Sequence, residues 1–149
     1  MNLIYVLALT GAGWAALLGL VVVTALVHEA GHAAAWKLVG SQIRELGYAT
    51  PGRRALRFRV GKLTFAFSPF TLFAYTIVET TEEQYRSMTR TQRVFVHGAG
   101  IVANILAAGL GLLVSSTASH VFAVFSASLA IQNIFFQDGK RIFAVLWEL

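Results

Sequence analysis

The stretch AGWAALLGLVVVTALVHEAGHAAAWKLV, residues 12–39, decides the fold class. Read as one helix it is about 42 Å long at about 1.5 Å per residue, enough to cross a bilayer together with its headgroup regions. Over the longer run Leu3–Val39 the only charged residues are Glu29 and Lys37. A cleaved leader is the competing reading of an apolar N-terminus. This run is too long for one, lacks a basic start and carries its polar residues in the middle. Thr10-Gly11-Ala12-Gly13 weakens the helix, so residues 2–10 are either its extension or an interfacial piece.

Working outward, the whole chain of 149 residues is 56% hydrophobic and 13% charged, far more apolar than an ordinary soluble domain. Further spans are expected at about 94–113 and 121–136, joined by the uncharged link Ser115–His120. Asp138-Gly139 interrupts the third before Ile142–Trp147, which reads as a C-terminal half-helix or interfacial tail. Between the first two spans, Gly40, Gly47, Pro51, Gly52 and Gly61 punctuate runs rich in aromatic and β-branched residues. A β-rich insertion is therefore expected at about 41–75. Within it Leu56–Val60 and Leu63–Phe67 form a hairpin turning at Gly61-Lys62. The charged stretch from Glu79 to Arg93 reads as a solvated segment or an interfacial helix. The expected architecture is a single α-helical integral membrane domain over residues 1–149, with about three transmembrane helices, a small membrane-associated sheet and a C-terminal half-helix.

The net charge of +5 does not point to nucleic acid, because nine of the twelve Lys and Arg residues fall between Arg44 and Arg93. With Lys140-Arg141 they lie on one side of a three-span arrangement. That side, the loop 40–93 included, is expected to be cytoplasmic.

His28-Glu29-Ala30-Gly31-His32 is an H-E-x-x-H motif. On a helix, residues four apart share a face, so both imidazoles reach one zinc ion while Glu29 stands beside the attacking water. The plainer alternative is a set of polar residues satisfied by packing in a helix bundle. Placing a carboxylate and two imidazoles at membrane depth is costly, about 2.5–3.5 kcal/mol for one central acid, so function is the better reading. A catalytic zinc takes three protein ligands, and cysteine is absent. Among Asp138, Glu79, Glu82, Glu83, Glu148, His97 and His120, only Asp138 follows a membrane-deep apolar segment and precedes a backbone-loosening glycine. His97 and His120, near span ends, read as interfacial bystanders. In the second span Ala99, Ala103, Ala107 and Gly111 recur every fourth residue and prepare a close helix contact. Asn104 beside them reads equally as an interhelical hydrogen bond or as a residue near the metal.

At these residues the chain resembles the site-2 protease family of intramembrane zinc metalloproteases. Val27–His32 is similar to the family's H-E-x-x-H helix, Ala99–Asn104 to its A-G-P-x-x-N segment, and Asp138–Ile142 to its L-D-G-x-R-I segment, in the same order. Two departures are visible: Ile101 stands where the family has proline, and a shorter, proline-free connection joins Asn133 to Asp138. The resemblance implies one zinc per chain, peptide hydrolysis in or near transmembrane segments of protein substrates, and substrate contact at Asn104 and Asn133. It also implies a membrane-associated β-hairpin or small sheet beside the active site. An edge strand of the Leu56–Phe67 hairpin, with Phe65 and Phe67, is expected to pair with an unwound substrate. Other readings are a catalytically silent scaffold that sequesters membrane partners and, less well, a metal transporter. Regulation would come from substrate availability, prior trimming by another protease or a partner membrane subunit, and a second copy of the chain is a further candidate partner.

Overall fold

The computed structural model describes residues 3–50, 54–68, 71 and 73–147, with side chains from Thr10 onward. Five helices and four strands follow in order: α1 (Leu3–Leu38), β1 (Gln42–Tyr48), β2 (Leu56–Val60), β3 (Leu63–Phe67), β4 (Ala74–Glu79), α2 (Glu82–Ser87), α3 (Arg90–Leu113), α4 (Thr117–Phe135) and α5 (Gln137–Trp147). The weak stretch Thr10–Gly13 does not break α1, which is one helix from Leu3.

Among the described residues, three segments are long and apolar enough to cross a membrane by length and composition: Thr10–Leu38, Arg90–Leu113 and Thr117–Trp147. The three spans expected from hydropathy overlap them, the first running one residue past Leu38. Leu106, Leu110 and Leu113 on α3 and Val124 and Ile131 on α4 are exposed, as an apolar exterior requires.

Helix α3 is central because its small residues admit neighbours on two sides. On one side a Cβ added at Gly31 would meet Ala99 O at 2.6 Å and Ala103 Cβ at 2.7 Å, so α1 and α3 touch backbone to backbone. On the other, a Cβ at Gly111 would lie 3.0 Å from Ser119 O and 3.1 Å from Ala123 Cβ of α4. This is the small-residue contact by which apolar helices associate without a hydrophobic drive between them. Thr81 with Gln84 and Thr89 with Gln92 form capping boxes that start α2 and α3.

The hairpin of β2 and β3 is present as expected, with Gly61 at φ +60° in its turn. The sheet around it is larger than the expected insertion: its order is β2-β3-β1-β4, and β4 extends it to Glu79. Strand β1 pairs parallel to β3 and antiparallel to β4. The hairpin keeps one edge of the sheet, β2, but Phe65 and Phe67 do not lie on it. Strand β3, with Phe65 and Phe67, has partners on both sides, so the edges are β2 and β4.

Candidate metal centre

The local sequence of α1 places His28 and His32 one turn apart, and their Nε2 atoms stand 3.2 Å from each other. The third group arrives from the far end of the chain. Helix α4 ends at Phe135, the backbone turns at Phe136 (φ −112°, ψ −85°), and α5 starts at Gln137 with Asp138 in its first turn. That break depends on Gly139, where an added Cβ would fall 1.6 Å from Ile134 O. The connection carries no proline, and a backbone contact that only glycine permits makes the turn.

Asp138 Oδ2 lies 2.9 Å from His28 Nε2 and 3.2 Å from His32 Nε2, and all three residues are buried. Nitrogen and oxygen donors about 2.0–2.1 Å from a tetrahedral zinc stand about 3.3 Å from one another. The observed triangle therefore fits one such ion. Among the described residues this is the one group of three or more His, Cys, Asp or Glu side chains so arranged.

The partners of the two imidazoles fit as well. His32 Nδ1 donates to Val96 O at 2.8 Å, which leaves the Nε2 lone pair free for a metal. Asn104, wholly buried on α3, has its amide 3.2 Å from His28 Nδ1. Amide oxygen and nitrogen are interchangeable in shape, and the metal-competent arrangement has the oxygen accepting from Nδ1–H. The two sequence readings of Asn104 thus meet: it makes an interhelical hydrogen bond, and its partner His28 belongs to the candidate metal-binding group. Gly100 keeps the space beneath the site open, since a Cβ there would lie 2.5 Å from His32 Nε2 and 2.7 Å from His28 Nε2.

A cavity of about 590 Å³ opens on this cluster, with Glu29, Phe73, Tyr75, Thr76, His97 and Asn133 in its wall. Glu29 Oε2 accepts from Thr76 Oγ1 at 2.7 Å. Asn133 reaches the cavity while its Nδ2 donates to Leu129 O at 3.0 Å. Phe65 and Phe67 are not in this wall. Phe65 stacks on Phe58 and lines a separate cleft against α1, and Phe67 stacks on Tyr48. His97, expected from sequence to be interfacial, is buried in the cavity wall, with Tyr85 Oη 2.8 Å from its Nε2. Helix α3 begins at Arg90, so His97 stands two turns inside the helix. Tyr75 lies over Gly47, where a Cβ would be 2.5 Å from the ring, and donates to the Glu45 carboxylate. Burial, reinforced by that carboxylate, pushes the Tyr75 phenol up to about 12.

Helices of membrane-spanning length around a buried His₂Asp donor set define a candidate metal centre of the H-E-x-x-H kind. The profile of Peptidase family M50 matches residues 15–149, and the chain belongs to that family, the site-2 proteases. No curated protein matches the chain.

Proposed function

We propose that the protein is a zinc-dependent intramembrane endopeptidase, embedded by its three apolar segments with the basic end of the bundle in the cytoplasm. The single observation that carries this reading is the convergence of His28, His32 and Asp138 on one donor triangle at the floor of an open cavity. The site's depth is consistent with it: Val96 is six residues beyond Arg90, about 9 Å along α3 from the charged end.

His28 and His32 through Nε2 and Asp138 through a carboxylate oxygen would hold one zinc per chain, leaving room for water or substrate. Zinc there supplies a Lewis acid for the scissile carbonyl and acidifies water. Glu29 acts as general base, taking the proton from the attacking water and passing it to the departing amide nitrogen. Val96 O and Asn104 hold the two imidazoles in the tautomer and orientation that binding requires.

The substrate is a transmembrane segment of another protein, and it must unwind before its peptide bonds are accessible. An extended segment leaves backbone groups unpaired, and strand β4 offers them partners. Among the described residues it pairs with β1 on one side alone, and it contributes Ala74, Tyr75 and Thr76 to the cavity wall. Strand addition therefore belongs to β4, and the hairpin serves as the outer part of the sheet. Asn133 is the side chain best placed among the sequence candidates to meet the substrate.

The test is cleavage of single-span test peptides, helix-destabilised at midspan, by protein reconstituted in liposomes. Cleavage should stop on chelation and return with zinc. Cleavage that persists in chelator, or none by zinc-loaded protein, contradicts the proposal.

A further inference from the structure

We infer that Thr76 is a positioning residue for the general base, tying Glu29 to the strand that borders the cavity; the inference rests on the endopeptidase reading above. Glu29 is only half-buried and belongs to a helix whose face is otherwise committed to the two histidines. A glutamate side chain has three rotatable bonds, and a base that must meet one water has to be held in one of its rotamers. Among the described residues, the hydrogen-bond partner of its carboxylate is Thr76. The hydroxyl lies 2.7 Å from Oε2 and 3.1 Å from the Glu29 main-chain oxygen. One hydroxyl thus faces both ends of the same residue, and its single proton goes to the charged oxygen, the stronger acceptor. Among the described residues the other carboxylate oxygen has no such partner and is open to water.

Thr76 reaches this position because β4 runs beside α1, and the register Leu46↔Thr76 fixes its height on the strand. Threonine suits this role because it is β-branched and stiff at χ1, so a strand residue of this type presents its hydroxyl in few directions. Valine has the same shape without the donor, which makes the role separable from packing.

The experiment compares kcat, KM and zinc content for wild type, Thr76→Val, Thr76→Ser and Glu29→Gln on one peptide in liposomes. Thr76→Val should lower kcat about 10- to 100-fold, in the range for lost orienting partners, with KM within about twofold and zinc unchanged. Thr76→Ser should regain most of the lost kcat. In the Glu29→Gln background, Thr76→Val should cause no further loss. Full kcat in Thr76→Val beside an inert Glu29→Gln overturns the role of Thr76 alone, as does loss of zinc in Thr76→Val or failure of serine to restore kcat. Undiminished cleavage by Glu29→Gln overturns the endopeptidase reading itself and this inference with it.

Discussion

Asp138 Oδ2 sits 2.9 Å from His28 Nε2 although 110 positions of chain separate the two residues. The fold, through the α4–α5 break and the packing of α3 against α1, α4 and α5, brings a distant carboxylate to a local pair of histidines. Replacing Asp138 by alanine should reduce bound zinc from about one per chain to a small fraction, since two imidazoles alone are a poor site. Metal analysis of the purified proteins measures this directly. Undiminished zinc in the variant would place the third ligand elsewhere.

Asn104 touches His28, a proposed zinc ligand, without being one itself. Asn104→Ala leaves His28 Nδ1 buried without its partner, and zinc affinity should fall about 10- to 100-fold while the protein stays folded. Competition with a chelator of known affinity gives the number. An unchanged affinity would mean that the contact is packing alone.

Two glycines on the same helix make a paired test. Gly100→Ala forces a methyl group against both ligand imidazoles, whereas Gly98→Ala meets only Ile142 Cδ1 at 3.7 Å, an ordinary contact. Each substitution favours the helix itself by about 1 kcal/mol. Zinc should therefore be lost from Gly100→Ala and retained in Gly98→Ala, with helical content preserved in both. Equal zinc in the two would contradict the packing described for the site.

Pairing of the substrate with β4 predicts a period in the chemistry of the substrate. Single N-methyl groups walked along a cleavable peptide should impair cleavage at alternate positions, since alternate amides of an added strand face its partner. A uniform response, or one repeating every three to four residues, would exclude strand pairing.

The parts of this architecture legible in sequence are those written locally. His28, Glu29 and His32 are four residues or fewer apart on one helix, and their helical phase follows from spacing alone. The β2–β3 hairpin shows itself by alternation around Gly61-Lys62, and Asp138 by its polar chemistry at the end of an apolar run. What the sequence hides is non-local. Strand β1, QIRELGY, has no clean alternation, and its parallel pairing with β3 is set by a crossover that no local pattern encodes. Strand β4 lies almost wholly beyond the expected insertion of about 41–75 and runs into the charged stretch at Glu79, so the sheet edge beside the cavity has no local signal. His97 looks interfacial because α3 begins earlier than its apolar stretch, at Arg90, and so places the residue two turns deep. Thr76 gives no signal, since its partner Glu29 lies 47 residues away.

The most direct test of the central claim is peptide cleavage by Glu29→Gln beside wild type at equal zinc content. The substitution keeps the shape of the side chain and removes the base. Cleavage by wild type with a loss of at least about a thousandfold in the zinc-loaded variant is the predicted result, within the range for a proton-transfer group together with its alignment of water. Equal cleavage by the two proteins would contradict the mechanism, and binding of the peptide without cleavage by either would identify a membrane scaffold that keeps the metal site but not the chemistry.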